Sequence, residues 1–308
     1  MAWTLTRNLD EFDAAAGDHL RAEPVLHTVA LTVLETLRQR GPSAFGEDAP
    51  VYGWHESADG GADGAFLQTP PFPVLVATLP AGSAADFITR LGADVGLPAA
   101  INLPSAYEAD FAAAWAQQTG GSSTAVQRSR LFRLGRLVPP EPVPPGKARV
   151  AGPGDRELLI ELLQAFSREA HVDAPDNAGR TVDDRLSHGG LTLWEAEGVP
   201  VAMAGSTREV AGVVRIASVY TVPAHRRCGY AGAVTAEASR SARDAGASAV
   251  VLFTDVANPT SNALYQRLGY RPVSDRVLLE LARDVTRQAP AHATQCLASS
   301  AGRSATAR

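Results

Sequence analysis

Arg226-Arg227-Cys228-Gly229-Tyr230-Ala231 follows a strand-like apolar run, residues 213–222, and opens a long alanine-rich segment with helical spacing. A helix starting near Gly229 leaves its first amides without carbonyl partners, and its aligned peptide dipoles put partial positive charge at that end. Phosphate oxygens satisfy both needs. Gly229 and Ala231 keep side-chain bulk away from those amides, while Arg226 and Arg227 can add charge-assisted contacts, so the stretch is read as a diphosphate cradle. The plainer reading is a helix start with a tight glycine turn, and the six residues alone do not separate the two.

The second signal lies downstream. The apolar run Val250-Val251-Leu252-Phe253 leads through Thr254-Asp255-Val256-Ala257-Asn258-Pro259 into a further helix, which Gly269 ends. Asn258 is a good N-cap, and Pro259 suits the first helical position, where its missing N–H costs nothing. Leu264 and Leu268 stand four apart and form the expected buried stripe. Tyr265 is turned by about 100° to the edge of that stripe, so its hydroxyl is expected to face a cleft.

Together the two stretches resemble the GNAT superfamily of N-acetyltransferases. Its acyl-CoA signature is Arg or Gln, two residues, Gly, one residue, then Gly or Ala, and Arg226, Gly229 and Ala231 fill it. Tyr220-Thr221-Val222-Pro223 matches the strand end before that signature, and Asn258, Leu264-Tyr265 and Gly269-Tyr270 match the later motif. A dinucleotide-binding turn is the competing reading of Gly229-Tyr230-Ala231-Gly232. It wants an acidic residue about twenty positions on, where this chain has Ala247-Ser248-Ala249, and its glycine spacing differs.

The resemblance implies an α/β (α+β) fold with a mixed central sheet flanked by helices, and acetyl-CoA as cosubstrate without a metal. Backbone groups of Val219, Tyr220 and Thr221, on a splayed strand, are expected to polarise the acyl carbonyl and pair with the pantetheine arm. Arg226, Arg227, Cys228, Gly229, Tyr230 and Ala231 are expected around the diphosphate, with Asn258 and Ser261 as further coenzyme contacts. Tyr265 matches the general-acid position. A phenol with an ordinary pKa near 10 is protonated at neutral pH and can give its proton to a thiolate. Many members place a glutamate on the splayed strand as base, whereas this chain has Ile216-Ala217-Ser218. Glu169, His171, Asp173, Asp176, Asp255 or a water are the remaining candidates. An acyl-CoA-binding regulatory or scaffold protein without turnover is therefore the alternative to an N-acetyltransferase acting on a small amine.

Length and composition bound the rest. The 308 residues, 45% hydrophobic and 20% charged, suit two domains of ordinary size. A formal net charge of -5 with no Lys/Arg block argues against nucleic-acid binding. No apolar run approaches the ~20 residues a membrane helix needs, and the N-terminal segment lacks a signal-peptide core, so a cytoplasmic protein is expected. Two cysteines, Cys228 and Cys296, support neither a disulfide framework nor a zinc cluster.

Pro139-Pro140-Glu141-Pro142-Val143-Pro144-Pro145-Gly146 is the clearest break in the chain, since clustered prolines favour an extended linker. The expected division is residues 1–138, a linker at 139–147, a catalytic unit at 148–283 and a mobile tail at 284–308. The first unit repeats the element order of the second but carries no matching motif. Where the cofactor signature should fall it reads Pro80-Ala81-Gly82-Ser83-Ala84-Ala85, without an arginine. Tandem GNAT-like domains are expected, the first degenerate and supplying a wall of the acceptor cleft or a packing surface; an independent, unrelated binding module is the alternative for that half. On this reading, removing residues 1–138 leaves coenzyme binding unaltered. The stretch Thr181-Val182-Asp183-Asp184 reads as a capped helix start, and Trp54, Trp115 and Trp194 as core residues.

Overall fold

The computed structural model describes residues 2–170 and 178–283. The first half runs β1 (Trp3–Thr6), α1 (Leu9–Ala22), α2 (Thr28–Arg40), β2 (Val51–Glu56), β3 (Ala62–Gln68), β4 (Val74–Thr78), α3 (Ala84–Asp94), β5 (Ala100–Pro104), α4 (Glu108–Thr119) and β6 (Ser122–Leu134). The second half repeats that order as β7 (Lys147–Val150), α5 (Arg156–Ala170), α6 (Ala178–Leu186), β8 (Leu191–Ala196), β9 (Val199–Ser206), β10 (Val213–Thr221), α7 (Tyr230–Asp244), β11 (Ala249–Asp255), α8 (Pro259–Arg267) and β12 (Tyr270–Ala282).

All strands join one mixed sheet in the order β1-β2-β3-β4-β5-β12-β6-β11-β10-β9-β8-β7. Read from either edge, the two halves follow the same path, except that their last strands are exchanged. β12 lies antiparallel against β5, β6 lies antiparallel against β11, and β6 and β12 pair with each other at the centre. The cores are exchanged accordingly. Phe132 and Leu134 of β6 are buried with Val250, Leu252 and Tyr270, while Val277 and Leu279 of β12 are buried with Ile101, Phe111 and Trp115. Burying one such side chain is worth about 1.5–3 kcal/mol. Each half therefore depends on the other for part of its hydrophobic stabilisation. Trp115 fixes the seam by donating its indole N–H to the Ala282 carbonyl at 3.0 Å.

Trp54, Trp115 and Trp194 are buried, as their patterns require. The stretch Thr181–Asp184 is not a helix start, because α6 is already helical at Ala178. Asp183 instead accepts from Arg156 at 2.7 and 3.0 Å, tying α6 to α5. The proline-rich stretch between β6 and β7 is also held to the second half. Trp194 donates to the Pro145 carbonyl at 3.0 Å, and the Val138 amide to that of Leu268 at 3.0 Å. The tail at 284–308, with Cys296, lies outside the described residues.

Candidate active site

β10 pairs with β11 in parallel from Val213/Ala249 only as far as Ile216/Leu252, although it runs on to Thr221. Two irregularities coincide there. The register against β9 shifts between Ala217 and Tyr220, and Ser218 takes a left-handed conformation with φ of 52°. The β11-facing edge of β10 is consequently unpaired beyond Ile216, leaving strand amides and carbonyls open toward the gap. The Thr221 hydroxyl, at the end of this segment, is buried without a hydrogen-bond partner among the described residues.

The loop after β10 closes one end of the gap. Arg227 has φ of 63° and Gly229 φ of 85°, so the backbone turns twice through left-handed space before α7 begins at Tyr230. Only glycine accepts that conformation without steric cost. Gly229 is the N-cap and has no side chain to cap the helix, which leaves the leading amides of α7 uncapped by any side chain. Arg226, Arg227, Cys228 and Gly229 are exposed, whereas Tyr230 is buried and anchors the helix. Cys228 is a free thiol. Gly232 keeps the next turn slim, since a Cβ there would come within 3.2 Å of both Leu264 and Pro140.

Arg226 is already engaged. One guanidinium nitrogen donates to both carboxylate oxygens of Glu169, at 2.8 and 2.6 Å, and its Nε donates to the Thr221 carbonyl at 3.1 Å. Its guanidinium carbon also stands 5.6 Å above the Tyr220 ring, and the Tyr220 hydroxyl donates to Glu169 at 3.1 Å. The hydrogen bonds from Arg226 hold the Glu169 carboxyl below the usual range, which makes it a weak base. Burial, followed by the bond to Glu169, pushes the Tyr220 phenol up.

Tyr265 departs from the helical-wheel expectation. It is the buried residue of α8, with Leu268 buried just beyond and Leu264 only half-buried. Its ring meets Tyr270 edge-on at 6.1 Å between centroids and shares a buried cluster with Tyr230 and Ile216, on which Val219 packs. The fold thus gathers the parted segment of β10, the start of α7 and the tyrosine of α8. Burial pushes the Tyr265 phenol up to about 12. Asn258 caps α8 by accepting from the Ser261 amide at 3.0 Å.

β10 carries no carboxylate to replace the missing base. Asp255, the last residue of β11, accepts from the Ala257 amide at 2.8 Å, and His225 sits in a short turn with its ring 6.5 Å from that of Tyr230. His171, Asp173 and Asp176 lie outside the described residues. Two groups that no motif announced also meet the parted strand. Arg185 of α6 donates to the Ser218 hydroxyl at 3.0 Å, and Arg215 lies on β10 itself.

The corresponding gap in the first half is closed. β4 and β5 pair only at Val74/Ile101 and Leu75/Asn102. Beyond that point the buried Arg276 of β12 bridges them, donating to the Val76 carbonyl at 2.8 Å, the Asn102 carbonyl at 3.1 Å and the Asn102 side chain at 2.8 Å.

An unpaired strand edge, an orphaned threonine hydroxyl and uncapped helix amides suit an extended amide-rich chain ending in a diphosphate. Residues 157–270 match the family model described as Acetyltransferase (GNAT) family. That stretch is a GNAT acetyltransferase domain. Solved GNAT structures extend the likeness over most of the chain. A GCN5-related N-acetyltransferase from Sphaerobacter thermophilus is similar at a TM-score of 0.59 and 17% identity, covering 91% of this chain and 95% of its own. One from Kribbella flavida gives 0.54 and 22%, covering 82% and 93%. A GNAT-family acetyltransferase from Colwellia psychrerythraea gives 0.58 and 9%, covering 92% and 100%. At these identities the likeness is one of fold, and it takes in both halves. No curated protein matches the chain in sequence. Among the described residues, no helix is long and apolar enough to cross a membrane.

Proposed function

We propose that the protein is a cytoplasmic acetyl-CoA-dependent N-acetyltransferase of two GNAT-like units, residues 1–138 and 148–283 joined by the linker at 139–147, with its chemistry in the second unit. The observation that carries this reading is the parting of β10 from β11 at Ile216/Leu252, which leads directly into the Gly229-initiated helix. Acetyl-CoA supplies a thioester. The open backbone of residues 219–221 would receive the pantetheine arm and polarise the carbonyl, and the amides from Gly229 onward would receive the diphosphate. Arg227 is free to face it, and Arg226 can do so once it leaves Glu169.

In the transfer step the amine nitrogen bonds to the acyl carbon as the carbon–sulfur bond breaks. Tyr265 gives its proton to sulfur, the nitrogen sheds one to solvent, and the Tyr265 phenolate regains one from solvent to restore the acid. An α-amine, ordinarily near 7.7–8.0, has enough neutral form at pH 7 to dispense with a strong base, which accords with the absence of a carboxylate on β10. The test is thiol release from acetyl-CoA with a panel of amines, run beside calorimetric binding of coenzyme A. Release that collapses in Tyr265→Phe while coenzyme affinity holds supports the transferase. Binding without release for any amine leaves a non-catalytic acyl-CoA-binding protein, and no binding at all overturns both.

A further inference from the structure

Arg185 and Arg215 are two half-buried arginines that no carboxylate holds among the described residues. Arg185 reaches the Ser218 hydroxyl through a slot that Gly205 of β9 keeps open, since a Cβ there would collide with the guanidinium. Asp184, its neighbour in sequence, instead accepts from Arg208 at 3.5 Å. Arg215 donates only to hydroxyls, those of Thr28 at 3.4 Å and Thr32 at 3.1 Å, both on α2 of the first half. Most of the N–H donors of the pair therefore meet no protein acceptor among the described residues. Both side chains keep part of their surface accessible.

Even partial burial without a counter-ion is unfavourable for a guanidinium. The charge of Arg215 is destabilised enough to bring its pKa down to about 10, through burial first and the nearness of Arg185 second. Burial likewise lowers Arg185, with Asp184 only opposing it. Arg215 stands opposite Val251 just before β10 leaves β11, and Arg185 meets Ser218 just after it, so the two like charges flank that point. A bound anion would satisfy the spare donors and offset the repulsion together, as charge-assisted, bidentate contacts do for carboxylates and phosphates.

We propose that Arg185 and Arg215 form the receptor for a carboxylate or phosphate carried on the same small molecule as the acceptor amine. This rests on the transferase reading, which puts the acyl carbon beside residues 219–221, one residue beyond the Ser218 that Arg185 meets, so amine and anion would be separated by a short spacer. It also gives α2 of the otherwise motif-poor first half a part in the acceptor wall, through Thr28 and Thr32.

The test titrates the protein, saturated with coenzyme A, with matched probes. Each α- and ω-amino acid is set against its carboxamide, and O-phosphoethanolamine against ethanolamine, with thiol release from acetyl-CoA measured on the same panel. At least one anionic probe is expected to bind 10-fold or more tighter than its neutral partner. Whether it is an acid or the phosphate identifies the head group. Arg185→Gln should erase that margin and Arg185→Lys keep part of it, with coenzyme affinity unaltered; if Arg185→Gln does not fold, competition by inorganic phosphate on the native protein replaces it and should weaken the preferred probe. No anionic preference, or a preference that survives Arg185→Gln or ignores phosphate, overturns the proposal. The two readings fail separately. Anion preference without thiol release sinks the transferase and leaves the receptor, whereas release from neutral amines alone does the reverse.

Discussion

Glu169, at the end of α5, binds both of its carboxylate oxygens to one guanidinium nitrogen of Arg226, at 2.8 and 2.6 Å, across the mouth of the loop that precedes α7. A diphosphate arriving at that loop carries the same sign of charge as Glu169 and competes for the same donor. Exposed ion pairs are worth about 1 kcal/mol or less, so the competition is modest. Glu169→Gln should tighten coenzyme A binding by up to about 5-fold and steepen its salt dependence. Unaltered or weaker binding in a calorimetric titration would show that Arg226 does not exchange partners.

Strand exchange gives a second expectation, opposite to the one drawn from the sequence. Cutting the chain at 138 removes β6, which pairs with both β11 and β12 and brings the buried Leu131 and Phe132 with it. Residues 139–283 alone would expose two strand edges and lose three large side chains, Leu131, Phe132 and Leu134, from their core. That fragment should be aggregated or unfolded by circular dichroism and bind no coenzyme A, whereas one beginning at residue 122 should recover soluble structure. A folded, coenzyme-binding 139–283 fragment would contradict the exchange.

Arg276 makes the first half's gap a structural seam. Truncation to alanine leaves the Val76 carbonyl and the Asn102 side chain without their donor and opens a cavity between β4 and β5. Losing buried partners costs about 1–3 kcal/mol and the cavity adds to it, so Arg276→Ala should destabilise the protein by about 3 kcal/mol or more. A urea titration would read this as a lower midpoint with little alteration in slope. The variant should gain no second coenzyme site, because residues 80–85 still lack the basic loop.

Much of this was legible from residue patterns. The cap at Asn258, the turn at Gly229 and the strand ending at Thr221 follow from local chemistry, and the structure has them within a residue or so of where the sequence puts them. The exchange of β6 and β12 was not legible, because the two strands follow equivalent helices and an apolar strand pattern does not name its neighbour. Tyr265 was misread as an edge residue since α8 is short and is covered from two directions, by Tyr270 and by the start of α7. Arg185 and Arg215 left no signal at all. Isolated arginines in a helix end and a strand read as surface groups until the fold partly covers them.

Tyr265 offers a test that separates its proton from its packing. With its phenol held near 12 by burial, the folded protein keeps that proton through the range in which an unfolded tyrosine, near 10, loses it. The folded pKa is the higher one, so the associated stability is fully present below pH 10 and is lost as pH rises from about 10 to about 12, by up to about 3 kcal/mol. Tyr265→Phe should make that alkaline loss shallower in denaturant titrations, leaving the similarly raised Tyr270 to account for the remainder. Catalytically, the same substitution should lower turnover by about 10²- to 10⁴-fold at every pH between 6 and 9, with coenzyme A affinity preserved. The phenol is a weaker acid than in water, but the low-dielectric setting that raises it also raises the departing thiol, so the proton transfer is not forfeited. A rate that falls with an apparent pKa near 10 in the native enzyme, and does not in Tyr265→Phe, would show a solvent-exposed phenol and refute the buried acid.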